Sequence, residues 1–227
     1  ILPTYNESKN IIPLVEQIVA ELATADYEII VVDDNSPDGT SNIVQQATSR
    51  FPNLRLLTRN SDKGLVNSIR DGIKASHEGS ICIWMDADMS MSPSLITSFV
   101  KEIELGADLV IGSRYIPGGG IKGMDLYSEK TSLYKIWKNL STSEDSFLSA
   151  MISKWGNKMI GFILNSPLHD YSSGYYAGRK ETFDLIKIEG YFVDYCLSLS
   201  YRAYMKGMSV KEVPMFLLPR KYGQSKT

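Results

Sequence analysis

The sequence predicts an α/β protein built on a mostly parallel sheet flanked by helices. Three observations carry this. Short β-rich runs alternate with segments of helical period over the first 112 residues. Polar and turn-forming residues gather where those runs end, which is where open α/β sheets place their ligands. The chain has 227 residues, 43% of them apolar, enough for one sizeable packed domain.

The elements follow in order. Ile1-Leu2 opens a strand that "LPTYNE" closes. Ile11, Ile12, Val15, Ile18, Val19 and Leu22 fall at helical spacing, with Asn6 or Ser8 as cap candidates. Tyr27–Val32 is a second strand, and Ser36-Pro-Asp-Gly39 turns the chain into a helix near Thr40 to Arg50. Leu54–Thr58, Ile81–Met85 and Asp108–Gly112 are further strands. Residues 64–76 and 93–105 are the helices between them, the second opened by Ser92-Pro93. After Ile116 the texture changes. Pro117-Gly-Gly-Gly120 is a flexible loop, and 122–145 has no clean period, as in a long loop or mobile helices. Residues 146–164 carry Leu148, Ile152, Trp155, Met159, Phe162 and Ile163 on one stripe, the pattern of an amphipathic helix. A helix over 192–206 and a strand over Val213–Leu217 complete the chain. The sequence reads as a single domain over 1–227, with 117–168 as an insertion within it.

Composition excludes several classes. Lys plus Arg number 24 against 26 Asp plus Glu, so net charge makes no case for nucleic acid. No apolar run reaches the roughly 20 residues that cross a bilayer, and no secretory signal opens the chain. Beginning at Ile1 inside a strand, it reads as a trimmed fragment, with a transmembrane part beyond Thr227 left open. Cys82 and Cys196 stand alone in apolar surroundings, as buried thiols do. The C-terminal stretch is locally basic: Arg202, Lys206, Lys211, Arg220, Lys221 and Lys226 face one acid, Glu212.

Four segments can carry chemistry. In "ICIWMDADMSMSP" Asp86 and Asp88 sit one residue apart at a strand end. Two close carboxylates repel unless a cation lies between them, and Mg2+ or Mn2+ accepts one or two carboxylates together with substrate phosphates. By itself the pair allows a metal–diphosphate site, a phosphatase nucleophile or a solvated acidic loop. In "LPTYNE", Pro3 stiffens the turn, Tyr5 offers a ring and a hydroxyl, and Asn6 and Glu7 offer polar groups at a helix start. In "VVDDNSPDGT", Asp34 stands where a carboxylate could accept hydrogen bonds from a base or ribose, although the glycine fingerprints of dinucleotide and P-loop sites are absent. In "RKYGQSK", cations and a hydroxyl surround a glycine, which suits a phosphate.

Together, "PTYNE", "VVDDNSPDGT", "KGLVNSI", "MDADMSMSP", "IGSRY", "SSGYYAGRKE" and "RKYGQSK" resemble family 2 glycosyltransferases in order and spacing, most closely the dolichyl-phosphate mannose synthases and related polyprenyl-phosphate glycosyltransferases. The resemblance covers nearly the whole chain, with a gap at about 119–150. It implies a GT-A fold, a nucleotide-diphosphate sugar donor, a divalent metal (Mg2+ or Mn2+) and a polyprenyl-phosphate acceptor. It also implies a place on the cytoplasmic face of a membrane, peripheral or anchored by a segment or subunit outside this chain. By motif, Pro3, Tyr5, Asn6, Glu7, Val32 and Asp34 would line the nucleoside site, joined by Lys63, Gly64 and Ala87. Asp86, Asp88 and Ser90 would hold the metal. Arg114 would face the phosphates, and Arg220, Ser225 and Lys226 would close over them; Asp88, Arg114, Arg220 and Lys226 form the expected catalytic set.

Two departures stand out. Where the family carries Arg-Lys-x-Ile-Ser-Arg-Gly-Ala-Asn for the acceptor phosphate, this chain has Ser149-Ala-Met-Ile-Ser-Lys-Trp-Gly-Asn157, which keeps Ser153 but replaces the arginines by Ser149 and Lys154. Residues 126–145 read as an insertion. Donors such as GDP-mannose, UDP-glucose or UDP-N-acetylglucosamine all fit these motifs, as does a silent lipid-binding subunit on the same fold. The apolar stripe of 146–164, with Trp155, Phe147 and Phe162, suits a helix lying in a membrane interface.

Overall fold

A computed structural model describes residues 1–121, 124–125, 147–191 and 194–220. The expected insertion 126–145, together with Ser225 and Lys226, lies outside the described residues.

Three strands, β1 (Leu2–Thr4), β2 (Ile29–Asp33) and β3 (Leu54–Thr58), form a parallel sheet in that order, with Leu2 opposite Val31 and Val32 opposite Leu57. Four more, β4 (Ile81–Trp84), β5 (Leu109–Ser113), β8 (Tyr176–Arg179) and β9 (Val210–Pro214), pair in the order β4-β8-β5-β9. The β8 strand runs antiparallel between β4 and β5, and β9 is parallel to β5. The amine of Ile1 donates to the Ile83 carbonyl at 2.7 Å, which sets the β1 edge beside β4. Three short pieces, β6 (Gly120–Ile121), β7 (Met124–Asp125) and β10 (Phe216–Leu217), make a small side sheet.

Helices cover both faces. Strand β5 shows why: Val110 packs into one core while Leu109 and Ile111 pack into the other, as alternation across a strand requires. The first core takes Ile11, Leu14 and Ile18 of α1 (Ile11–Glu21), Val44 of α2 (Thr40–Ala47), and Phe99 and Ile103 of α4 (Ile96–Glu104). The second takes Val66, Ile69 and Ile73 of α3 (Leu65–Ala75), Phe183 of α6 (Lys180–Ile186), and Leu199 and Ala203 of α7 (Asp194–Met205) around Trp84. A strand buried on both faces reads as continuously apolar, which explains the runs IIVV and LVI. The three-layer α/β/α arrangement agrees with the expected class.

The differences are local. The N-cap of α1 is Asn10, not Asn6 or Ser8: Asn6 has left-handed φ (58°), and the Ser8 amide is held by Asp38. Pro93 opens a 3-10 turn over Pro93–Leu95 that leads into α4. The strand expected at Val213–Leu217 is two strands, split at Met215, whose amide pairs with Ser113. Strand β8 and helix α6 have no counterpart in the pattern reading. "YYAGR" neither alternates nor lacks glycine; at Gly178 an added Cβ would lie 2.7 Å from Phe183 Cζ, so close packing demands glycine there. Helix α5 (Phe147–Ile163) spans the expected amphipathic segment.

Candidate active site

The loops leaving the carboxyl ends of β1, β2 and β4 converge on one cavity of about 590 Å³. Hydroxyl side chains lock the first two loops together. Asp33, fully buried at the end of β2, accepts from Thr4 Oγ1 (3.0 Å), Ser36 Oγ (2.6 Å), the Ser36 amide (2.9 Å) and Ser41 Oγ (2.5 Å). Ser36 Oγ in turn accepts the Asn6 amide, and Thr40 Oγ1 accepts the Glu7 amide while donating to Asp38. The run "DDNSPDGT" is therefore a clasp: each hydroxyl relays between a carboxylate on its own loop and an amide on the β1 loop.

Asp34 lies on the cavity wall. Its Oδ1 accepts from Arg59 Nη1 at 2.6 Å and Ser68 Oγ at 3.0 Å, and its Oδ2 accepts the Gly64 amide at 2.6 Å. Gly64 has φ 137°, a conformation that side chains avoid, so glycine at this position lets the amide reach the carboxylate at the start of α3. Arg59 is 7% exposed and also binds Asp71 (2.6 Å) and the Asp62 carbonyl. Asp34 is thus a cavity-wall carboxylate already oriented by three protein donors.

Past β4, Asp86 and Asp88 enter the same cavity. Asp88 Oδ1 accepts the Ser90 amide (2.9 Å), and Asp88 Oδ2 pairs with Arg220 Nε (2.9 Å). Arg220 is brought there by the chain leaving β10, where the Leu218 amide donates to the Ser90 carbonyl at 2.8 Å. Between the two, Met89 has φ 68°, a strained backbone for a residue with a side chain. Asp86 takes no hydrogen bond on its carboxylate from the described residues. Burial first, and the neighbouring Asp88 second, push the Asp86 carboxyl up to about 7.

Arg114 stands elsewhere. It grips the fully buried Asp170 through Nε (2.8 Å), Nη2 (2.8 Å) and its own amide (3.0 Å), and Nη2 also reaches Ser172 Oγ at 2.7 Å. The Asp170 charge and hydrogen bond hold the guanidinium protonated against the cost of its burial.

The cavity wall therefore contains Pro3, Tyr5, Glu7, Asp34, Lys63, Gly64, Asp86, Ala87, Asp88 and Arg220 from the expected set. Five others lie off it. Val32 is buried in β2, and Asn6 is exposed with its amide on Ser36. Ser90 is buried, giving its amide to Asp88; Arg114 is held by Asp170; Ser153 Oγ meets Tyr115 OH at 2.6 Å. Pattern reading missed Arg59 and Ser68, which set Asp34, and Ser172, Gly174, Tyr195 and Cys196, which close the cavity opposite. "SSGYYAGRKE" is a signal for Ser172 and Gly174, but nothing local marks Tyr195, Cys196 or Arg59, the last with partners 25 and 12 residues away in sequence.

Comparison with known proteins gives a consistent result. Polyprenol monophosphomannose synthase of Mycolicibacterium smegmatis is 33% identical, aligned over all of this chain and 79% of that protein. Dolichol-phosphate mannosyltransferase of Pyrococcus furiosus is 31% identical, over all of this chain and 58% of that protein, so the chain spans little more than half of the latter's length. Among solved structures, glucosyl-3-phosphoglycerate synthase from Mycobacterium tuberculosis in complex with Mn2+, uridine diphosphate and phosphoglyceric acid superposes with a TM-score of 0.64 at 14% identity, covering 98% of this chain and 70% of that one, a likeness of the GT-A fold. The model of glycosyl transferase family 2 matches residues 1–186, and the chain belongs to that family of glycosyltransferases.

Proposed function

We propose that this glycosyltransferase moves a hexose from a nucleoside diphosphate sugar to a polyprenyl phosphate at a membrane surface. The observation that carries the reading is the single cavity that joins a nucleoside-sized wall (Pro3, Tyr5, Asp34, Gly64) to a carboxylate pair with a cation beside it (Asp86, Asp88, Arg220). The names of the two relatives favour mannose as the sugar moved, and GDP-mannose is the donor assigned to it in this proposal.

The residues fit a divalent cation. Asp86 offers oxygens that no described residue satisfies, beside a second carboxylate. Among the described residues no cluster of three or more acids, histidines or cysteines exists, so the remaining coordination falls to substrate phosphates and water, as hard Mg2+ and Mn2+ sites allow. A bound cation would neutralise diphosphate charge as the glycosidic bond breaks. Ser90, buried and off the cavity, supports the loop through its amide.

The chain's own residues supply position and charge. Asp34 holds the nucleoside end; Arg220 faces the diphosphate beside Asp88. The acceptor phosphate is already an anion, so no strong base is needed. Its oxygen forms a bond to the anomeric carbon as the bond from that carbon to the diphosphate breaks, the electron pair leaving with the nucleoside diphosphate and the configuration inverting. Lys226 and Ser225 belong to the same proposal.

Helix α5 supports the membrane reading. Its Ile152, Trp155 (58% exposed), Met159, Phe162 (88%) and Ile163 face outward, and Lys158 sits 5.3 Å over the Trp155 ring. No helix among the described residues is long and apolar enough to cross a membrane. An exposed apolar face flanked by lysines is how a helix lies in the interface.

Turnover of GDP-mannose, UDP-glucose and UDP-N-acetylglucosamine with polyprenyl phosphate, in Mg2+ and in Mn2+, tests the function. The wild-type chain is expected to use one donor, and Asp88→Asn to lose more than about 100-fold. Retained configuration in the product, or a covalent glycosyl–enzyme intermediate, would refute the single displacement.

A further inference from the structure

The loop Asp170–Gly174 carries a hydroxyl whose valences are almost all spoken for by the protein. Ser172 Oγ accepts from Arg114 Nη2 at 2.7 Å and from Asn157 Nδ2 at 3.2 Å. Two acceptances fill the two lone pairs of a hydroxyl and leave its proton to be donated. Among the described residues that proton has one partner, Asp170 Oδ1, at 3.4 Å. That oxygen already accepts from Arg114 Nη2 at 2.8 Å and the Ser172 amide at 3.1 Å, while Oδ2 accepts the Arg114 amide and Nε at 3.0 and 2.8 Å. A carboxylate offers about four lone-pair sites, and four closer donors occupy them. The Ser172 proton is thus the under-satisfied member of a part-buried network, and Ser172 lines the cavity.

Its neighbours fix which end of the cavity it serves. Gly174, two residues on, lies against Asp86: an added Cβ there would stand 3.4 Å from Asp86 Oδ1. Ser172 therefore lines the cavity two residues from the point where its loop meets the carboxylate pair. Two residues aim it. Arg114 supplies charge that strengthens the hydroxyl as a donor. Asn157, 4% exposed on α5, uses its whole amide: Nδ2 reaches the Ser153 carbonyl (2.8 Å) and Ser172, and Oδ1 accepts the Tyr171 amide at 2.6 Å.

We infer that Ser172 donates a hydrogen bond to a hydroxyl of the transferred sugar, with Arg114 and Asn157 as the residues that position it. This rests on the reading of the cavity as a sugar-nucleotide site. It gives Arg114 a task at the sugar, acting through Ser172, and gives α5 a direct link to the reacting end of the substrate.

The test compares wild type with Ser172→Ala, Ser172→Thr and Asn157→Ala. For the donor that wild type turns over, kcat/KM is measured, and calorimetry gives the affinity for the matching nucleoside diphosphate without sugar. Ser172→Ala is expected to lose about 5- to 10-fold in kcat/KM and leave nucleoside diphosphate affinity within about 2-fold, the cost of one hydrogen bond to the sugar alone. Ser172→Thr, which keeps the hydroxyl, is expected to stay within about 2-fold of wild type, and Asn157→Ala to fall with Ser172→Ala. Equal loss of nucleoside diphosphate affinity in Ser172→Ala would place the contact on the diphosphate and overturn the inference. Equal loss in the Ala and Thr variants would show a packing role and do the same. A wild-type chain that turns over none of the three sugar nucleotides would instead overturn the reading of the cavity itself.

Discussion

Replacing Arg59 by Met keeps the bulk of the side chain and removes its charge. The structure sets the magnitude. The pair with Asp34 is buried on both sides, with side chains 6% and 9% exposed at 2.6 Å. The pair with Asp71 is half exposed on the acid and is worth only about 0.2–1 kcal/mol. Removing one partner of a buried pair leaves a buried charge uncompensated and costs about 3–5 kcal/mol. Asp34 keeps Ser68 and the Gly64 amide, which places Arg59→Met toward the lower end of that range. For a chain of this size each kcal/mol shifts the melting midpoint by about 2–4 °C, so a fall of roughly 6–12 °C is expected. Urea unfolding of wild type, Arg59→Met, Asp34→Asn and the double variant completes a cycle, with a coupling of about 2 kcal/mol or more between the two sites. A single-variant loss below about 1 kcal/mol, or additive effects in the cycle, would refute the view that Arg59 holds Asp34 in place.

Other consequences follow from the same geometry. Trp155→Ser with Phe162→Ser removes two exposed aromatic side chains of α5; liposome flotation is expected to fall strongly while the melting midpoint stays within a few degrees, and unchanged flotation counts against an interfacial helix. Gly178→Ala forces a methyl to 2.7 Å from Phe183 Cζ between two strands and is expected to cost about 1–3 kcal/mol in urea unfolding. Burial pushes the Cys196 thiol up to about 12. Its folded-state value exceeds the unfolded one, so its contribution is fully present below about pH 8.5 and fades as pH rises toward 12; Cys196→Ala should flatten that alkaline decline, and an identical slope would exclude the thiol as its source.

How legible this was depended on the range of the interaction. The alternation of IIVV, LRLLT, ICIW and LVIGS with helical periods is local, and so are the turns that close those strands. The clasp in "DDNSPDGT" is half local: Asp33 with Ser36 and Asp38 with Thr40 can be read along the chain, but their reach to Asn6, Glu7 and Ser8 needs the parallel register of β1 on β2. Strand β8 was invisible because its signals, tyrosines and a glycine, answer to neighbours on two flanking strands and on α6. Arg114 illustrates the same limit. Its motif predicts an arginine aimed at substrate, yet it is Asp170, 56 residues on, that decides where the guanidinium points.

The acids of the site can be sorted by how many of their lone pairs the protein fills. Asp33, with four donors from its own fold, and Asp170, with five, are both fully buried; they are fasteners, and Asp33 needs no ligand to be stable where it is. Asp34 takes three and faces the cavity with one position in reserve. Asp88 takes a backbone amide and Arg220. Asp86 takes none on its carboxylate from the described residues, and burial together with the neighbouring Asp88 holds back its charged form. Satisfaction thus falls step by step from the fasteners to the acids on the cavity wall. Asp86 is half-buried, and a carboxylate drawn partly out of water without protein donors loses part of its hydration uncompensated. Such a group persists where something from outside completes it. The gradient therefore singles out Asp86, on hydrogen bonds alone and independently of the Asp-x-Asp spacing, as the carboxylate of this wall that the described residues leave without a donor.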